Sequence, residues 1–378
     1  MSPERLAYQI QIDRYGPPDV LAWTPQPFAP LGPREVRLRT ITAAVNHTDL
    51  QIRAGTWPVR KSAPFPYVPG VEVVGVVEKT GSDLSGWSIG QTVITMMQGL
   101  GGVRAERPGG YATHVVVEAD ALALVPGSVD PFMLAALGLP GVTAHEGLRR
   151  LGDLRDQRVL VTGAAGGVGS AAVTIARAQG ATVVAVITRP DQAGYVRSLG
   201  ASEVILAPRG GDPDLPPESI DRVLDVVGGV TFSASTSVLR AGGALCLVGA
   251  VGGGEVTFDA WRLIRPITLT GYSTETLTGE DLRRAIRALA TGLADGLIRA
   301  PAYQILPLSQ ASEAHRRLEA AWGRSSTLLR RLAPTRRIGV TIAPPTAAAT
   351  RPAARAAGRP VPYSPTSWRS GRPATCTR

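Results

Sequence analysis

Hydrophobic patterning divides the chain into two textures. Residues 6 to 125 consist of short runs broken by Gly and Pro. Glu35-Val36-Arg37-Leu38-Arg39-Thr40-Ile41, Val71 to Glu78, Gln91-Thr92-Val93-Ile94 and Tyr111 to Glu118 read as β-rich segments. That spacing predicts a barrel-like β domain. From Pro131 to Leu151 the pattern becomes an apolar helix, and strands then alternate with helices from Val159 through the segment Ala244 to Gly249. Alternation of this kind predicts a doubly wound parallel sheet. A strand, Ile267-Thr268-Leu269-Thr270-Gly271, and amphipathic helices over Glu280 to Ala294 and Ser309 to Ala321 are expected to return to the first domain. The expected fold is α/β, with a β-rich barrel-like domain from residues 1–127 and 265–335 and a Rossmann domain over 128–264. Beyond Arg336 the chain is Ala, Pro, Arg, Thr and Ser with little periodicity, so 336–378 cannot offset its ordering entropy and is expected to be disordered.

Within the second texture, Val159-Leu160-Val161-Thr162-Gly163-Ala164-Ala165-Gly166-Gly167-Val168-Gly169-Ser170 runs from a hydrophobic strand into a glycine-rich turn and a helix. Backbone amides at such a helix start, reinforced by the helix dipole, attract a dinucleotide pyrophosphate. Ala164 stands at the first fingerprint glycine, with Gly166 and Gly169 at the other two. The alternative is an ordinary tight strand-to-helix turn. At the end of the next strand the chain reads Ile187-Thr188-Arg189-Pro190, with no carboxylate to accept a ribose hydroxyl. Arg189 is suited to pair with a 2′-phosphate, so NADPH is expected rather than NADH. Asp191 is the residue able to reverse that preference, and a plain solvated charge is the other reading of Arg189.

Composition narrows the field. With 378 residues and 44% hydrophobic content the chain can bury two cores. The net charge of +10 is badly distributed: from Arg324 onward there are eleven arginines and no acidic residue, so the remainder carries 29 basic against 30 acidic residues. Nucleic-acid binding by the folded part is therefore not expected. Cys246 and Cys376 are too few for a disulfide framework or a four-cysteine zinc lobe. No apolar stretch is long enough to cross a bilayer uninterrupted, and Met1 to Arg14 lacks a secretory pattern, so a cytoplasmic protein is expected.

The order of motifs adds a family. Asn46-His47-Thr48-Asp49, Val68-Pro69-Gly70-Val71-Glu72-Val73-Val74-Gly75, Gly109-Gly110-Tyr111-Ala112 and then the 163–169 turn resemble the medium-chain dehydrogenase/reductase superfamily, in its zinc-independent quinone oxidoreductase branch, over about residues 5 to 323. The resemblance implies a GroES-like catalytic domain and a homodimer. In zinc-dependent relatives, a metal-binding cysteine stands at the position of Asn46 and a histidine at Val71. A third ligand would fall in Gly138-Leu139-Pro140-Gly141, which has no Cys, His, Asp or Glu. These residues cannot hold catalytic zinc, so no metal site is expected. His47 and Asp49 are weak substitutes.

Without a Lewis acid, an already electrophilic acceptor suits the site: a small-molecule quinone or enone that takes hydride directly. The resemblance puts Asn46, the catalytic candidate, and Thr143 at the nicotinamide end, Gly166, Gly167, Val168 and Gly169 on the pyrophosphate, and Val248 and Gly249 beneath the nicotinamide ribose. Asn46 is alternatively a turn former bonding its own backbone, and Thr143 a cap or packing residue. Trp57 and Tyr67 either roof the acceptor pocket or anchor the core. The final proton comes from His47 or from solvent, and Gln98 to Gly109 is a candidate lid. Two other functions stay open: an enoyl-thioester reductase of polyketide or lipid synthesis, and a cofactor-binding sensor with little turnover. The arginine-rich end departs from the family pattern and is either a natural extension or the product of a shifted reading frame. Thr327-Leu328-Leu329-Arg330 retains the family's closing strand.

Overall fold

The alternating run beginning at Glu35 forms the longest strand of the molecule. In a computed structural model, which describes residues 7–28, 30–57, 65–100, 107–208, 211, 213–321 and 326–331, two short strands precede it: β1 (Ala7–Gln11) and β2 (Ala22–Gln26), an antiparallel pair. β3 (Glu35–Val45) buries Val36, Leu38 and Thr40 in turn and is then buried at every position from Thr42 to Val45. Helix α1 (His47–Ala54) follows immediately. β4 (Glu72–Thr80), β5 (Thr92–Met96), β6 (His114–Glu118) and the two-residue β7 (Ala123–Leu124) extend the sheet by antiparallel pairing. All the described residues fall in one unit spanning 1–333. The expected disordered tail over 336–378, and residues 101–106 of the candidate lid, lie outside the described residues.

Asp130 caps α2 (Pro131–Arg149) by accepting the Phe132 N–H at 2.7 Å. The chain then alternates as predicted: β8 (Arg158–Val161), α3 (Gly167–Ala178), β9 (Thr182–Ile187), α4 (Ala193–Leu199), β10 (Glu203–Leu206), β11 (Ile220–Asp225), α5 (Val230–Val238), β12 (Leu239–Leu247), the single-turn α6 (Trp261–Ile264) and β13 (Thr268–Gly271). Six of these strands form one parallel sheet in the order β10-β9-β8-β11-β12-β13. This is the doubly wound dinucleotide order, which reverses between β8 and β11 and opens a crevice at the strand C-termini there. The strand expected over 267–271 as part of the returning segment is instead the edge of this sheet, because Thr268–Gly271 pairs in parallel register with Ala244–Leu247.

The return comes with the next elements. Thr278 caps α7 (Gly279–Ala294), whose buried Leu282, Ala285, Ile286 and Leu289 recur at helical spacing. β14 (Tyr303–Pro307), α8 (Ala311–Ala321) and β15 (Ser326–Arg330) are the last elements among the described residues, with β15 lying between β14 and β3. The result is a seven-stranded mixed sheet ordered β14-β15-β3-β4-β5-β7, with β6 also paired to β3. No helix among the described residues is long and apolar enough to cross a membrane.

Candidate functional site

The glycine turn lies at the reversal of strand order. Val161 ends β8, Gly163 takes the left-handed backbone conformation (φ 55°), and α3 begins at Gly167. A side chain at Gly169 would overlap the Gly163 carbonyl oxygen and lie 2.7 Å from Ala164 Cα, so only glycine lets the first helical turn pack this closely on the loop. Ala164 is buried and donates its N–H to Val186 O at 3.0 Å. It needs no glycine because the positive φ falls one residue earlier. Helix geometry leaves the first amides of α3, at Gly167, Val168 and Gly169, without intrahelical acceptors and facing outward as an anion cradle.

Beside the turn, β11 ends in Asp225, whose buried Oδ1 accepts Thr162 Oγ1 (2.6 Å) and the Val227 and Gly228 amides (2.9 and 3.2 Å). Burial raises its pKa, and these donors oppose that rise. The Val226–Gly228 loop is thereby pinned against Gly163. Val248 N–H bonds Asp225 O at 2.8 Å, and Gly249 lies under the Val226 carbonyl, so the predicted Val248 and Gly249 share the crevice with the glycine turn. Arg189 follows β9 on the same edge. Its Nε contacts Asp191 Oδ1 at 3.1 Å, and its Nη2 is shielded from solvent with no hydrogen-bond partner among the described groups, although the side chain as a whole is more than a third exposed.

A second group of residues gathers where β3, α1, β4 and α2 meet. Asn46 precedes α1, and its backbone N–H donates to Asp49 Oδ2 at 2.8 Å. Its side chain reaches across to β4, where Nδ2 donates to Glu72 Oε2 at 3.2 Å, while Asn46 and Asp49 form a capping box at the start of α1. The same carboxyl oxygen accepts Leu139 N–H at 2.7 Å, at the point where Gly138 (φ 13°, ψ −121°) breaks α2. One turn on, Thr143 Oγ1 donates to Leu139 O at 2.8 Å. Its proton is thus used within the helix, and toward any ligand the hydroxyl oxygen is an acceptor. Pro140 lies against the head of α3, 3.4 Å from where a Gly167 side chain would begin, which joins this group to the phosphate cradle.

Buried carboxyls dominate the electrostatics. Burial pushes Glu72 up to about 8, against the pull of the Leu139 and Asn46 donors, with the nearby Asp49 charge adding to the rise. Asp49 is pushed up to about 7 by the same loss of water, although the amides of Asn46 and Val71 (3.0 Å) and the Tyr111 hydroxyl oppose it. Behind Asp49, Tyr111 Oη meets His315 Nε2 at 3.2 Å, and His315 Nδ1 meets Arg53 Nη1 at 3.3 Å. Because Arg53 only donates, Nδ1 is the acceptor and the proton sits on Nε2. Burial, then the Arg53 charge, lowers the His315 pKa to about 3.

Asn46 and Thr143 therefore come together through Glu72 and Leu139, close to Gly166–Gly169, while Val248 and Gly249 line the neighbouring strand end. Arg189 stands apart at the end of β9. Asp49 is a brace for backbone amides rather than a spare metal ligand. His47 is exposed at the start of α1. Tyr67 is buried and exchanges backbone hydrogen bonds with Ile12, which makes it a core anchor, and Trp57 is half-buried against the same core. At the end of the candidate lid, Arg107 is tied to Glu35 (3.2 Å) and Glu118 (2.8 Å). Sequence reasoning quoted Glu72 within its motif but gave it no role; a carboxylate in an otherwise apolar strand start was the available signal. Among the described residues, no three His, Cys, Asp or Glu side chains gather to hold a metal ion. Donor chemistry agrees: Val71 is apolar, Asn46 Nδ2 and Leu139 N–H already occupy Glu72 Oε2, and Gly138 presents only backbone, so these residues do not fit zinc.

Comparison with known proteins gives two family matches, "Alcohol dehydrogenase GroES-like domain" over residues 32–127 and "Zinc-binding dehydrogenase" over residues 167–291. A quinone oxidoreductase of Sus scrofa is 28% identical over 323 residues, covering 82% of this chain and 94% of the relative. An NADPH-dependent alkenal/one oxidoreductase of Arabidopsis thaliana is 33% identical over 252 residues, covering 66% and 64%. The solved structure of a mycobacterial quinone oxidoreductase superposes with a TM-score of 0.74 at 28% identity, covering 86% of this chain and 99% of that one.

Proposed function

We propose, for a chain that belongs to the quinone oxidoreductase-like branch of the medium-chain dehydrogenase/reductase superfamily, that it is an NADPH-dependent reductase of quinones or activated enones working without a metal. The observation that carries the proposal is the glycine turn at the reversal of the β10-β9-β8-β11-β12-β13 order, joined through Pro140 to the Asn46–Glu72–Thr143 group. Relatives named for quinone and alkenal/one reduction support the acceptor class.

Bound in this crevice, a reduced nicotinamide supplies a hydride. The chain's residues bind and orient. The first amides of α3 hold the pyrophosphate, and Arg189 turns its unpartnered Nη2 to the 2′-phosphate, with Asp191 drawing the opposite edge of the guanidinium. Thr143 Oγ1 accepts from the carboxamide N–H. Asn46 directs an amide N–H at the acceptor oxygen on which negative charge develops, the work a Lewis acid does in metal-dependent chemistry. Solvent water protonates that oxygen. Two copies of the chain associate as a dimer in the cytoplasm; the association is supported by the edge of β13, which pairs only with β12 among the described residues, and by the exposed Trp261 and Ile264.

The test is NADPH oxidation, followed by its near-ultraviolet absorbance, with para-benzoquinone and with an α,β-unsaturated ketone, before and after exhaustive chelation. Turnover with either acceptor, unchanged by the chelator, is expected. Loss of activity on chelation overturns the metal-free mechanism, and tight NADPH binding with no turnover across a panel of quinones and enones overturns the enzymatic one.

A further inference from the structure

We infer that Glu72 is a positioning residue for the nicotinamide end of the site: with a single carboxyl oxygen it holds the Asn46 amide and the helical turn bearing Thr143 in one arrangement. The inference deepens the proposal of nucleotide-dependent reduction and rests on it. Both donors converge on Oε2, Asn46 Nδ2 at 3.2 Å and Leu139 N at 2.7 Å, and Leu139 O in turn receives Thr143 Oγ1 at 2.8 Å. Asn46, Glu72, Leu139 and Thr143 are all buried, so no bulk water competes for these bonds. Two residues nearly a hundred positions apart are thereby registered to one atom.

Direction is set as well as place. With Nδ2 against Glu72, Asn46 keeps its second N–H for a ligand. A flipped amide would press Oδ1 onto the carboxyl oxygen with no hydrogen between them. The capping box at the start of α1, in which Asp49 Oδ2 accepts the Asn46 N–H and the Asn46 side chain faces the Asp49 backbone N–H as acceptor, favours the same orientation of the amide.

Two further features are specific to this carboxyl. A side chain at Gly138 would overlap Glu72 Oε1, so the break in α2 admits the carboxyl because that residue has no Cβ. Oε1 itself is buried with no hydrogen-bond partner among the described groups. Satisfying Leu139 N–H at a helix break needs only one acceptor from any neighbour, whereas a fully buried acid with one oxygen shared and the other unpartnered is costly for stability alone. A neutral acid lowers that cost by removing the buried charge: its carbonyl oxygen is Oε2, accepting twice, and its hydroxyl is Oε1, which remains unpartnered among the described groups. The upward shift of Glu72 by burial supports that form.

Glutamine is then the near-isosteric mimic, with a carbonyl that accepts both bonds, and methionine fills the same space without an acceptor. The experiment measures dissociation constants of NADPH and of 2′-phospho-ADP-ribose, which lacks the nicotinamide, for wild type, Glu72→Gln and Glu72→Met, together with kcat and KM for the quinone. Glu72→Met is expected to weaken NADPH about tenfold, the scale of one lost hydrogen-bonded arrangement, while 2′-phospho-ADP-ribose stays within about twofold. Its kcat falls with the NADPH affinity, Glu72→Gln restores both, and Asn46→Ala added to Glu72→Met weakens NADPH binding little further. Equal weakening of both ligands in Glu72→Met overturns the inference, because it signals general damage to the crevice. So does a Glu72→Gln protein as impaired as Glu72→Met, a comparison that stands on Glu72→Gln and wild type alone should Glu72→Met not fold. A wild type that binds neither ligand removes the nucleotide assignment, and the inference with it.

Discussion

Arg189 concentrates the cofactor question in one guanidinium. Its Nε is engaged by Asp191 while Nη2 has no protein acceptor among the described groups. Reversal of charge in Arg189→Glu should therefore cost NADPH about tenfold or more relative to NADH, the worth of a charge-assisted bond, measured as the ratio of kcat/KM for the two nucleotides. An unchanged ratio would leave the 2′-phosphate without its proposed partner. Asn46→Ala removes the donor to the acceptor oxygen and should lower kcat on the order of a hundredfold, with quinone KM changing much less. His315 makes a prediction about stability. Its pKa is lowered to about 3 from an ordinary 6.5, so the native state keeps it neutral while the unfolded state takes up a proton. The stability this residue contributes is present above pH 6.5 and is lost as pH falls through about 3. His315→Gln should be less stable at neutral pH yet show a flatter decline in melting temperature on acidification; an unaltered slope would sink the linkage. Asn46 and Arg189 were legible because motif and strand end mark their places. Glu72 was not, since its role depends on an amide 67 residues away that is free only because α2 breaks.

At the scale of elements, period and punctuation told most of the story. The helices expected over 280–294 and 309–321 are α7 and α8 within two residues. The edge strand β13 escaped correct assignment for a physical reason. Its alternation, Thr268-Leu269-Thr270-Gly271, is compatible with either sheet, and only the register with Ala244–Leu247 selects one. The break in α2 was equally hidden. Pro140 inside an apolar helical run signals irregularity, but the departure falls at Gly138, where the carboxyl of Glu72 enters. Gly138→Ala tests that reading at the level of the element. The new methyl group would overlap Glu72 Oε1, so either α2 shifts or the carboxyl swings away, at a cost of about 1–3 kcal/mol typical of overpacking. Thermal unfolding should show that loss. Combining Gly138→Ala with Glu72→Met, whose side chain is flexible, should recover part of it. Additive losses would show that the glycine is required for some other reason.

For the whole molecule, the distribution of charge and apolar surface decides what it meets. The acidic and basic residues preceding Arg324 nearly cancel, so the described surface offers no broad field for a polyanion, and association must come from shape and apolar contact. One short stretch of the chain carries several exposed apolar side chains. Helix α6 has no buried residue: Trp261 is 71% and Ile264 68% exposed, with Leu263 between them and Val256 nearby also exposed. A few residues further along the chain, β13 pairs only with β12 among the described residues, so its other edge offers backbone groups to a further strand. A two-fold partner presenting the same edge and patch satisfies both needs at once, since an isologous contact pairs each surface with its own copy. Homodimerisation was expected from family resemblance; the edge strand and α6 are the surfaces on which that expectation can be tested. Sedimentation velocity should find a dimer at micromolar concentration, and Trp261→Glu with Ile264→Glu should shift it to monomer by placing like charges across the axis. Because Asn46, Glu72 and Thr143 make their contacts within one chain, the monomeric variant should still bind NADPH. A variant that remains dimeric would move the interface elsewhere, and one that loses NADPH affinity along with the dimer would mean that the crevice needs its neighbour to hold its shape.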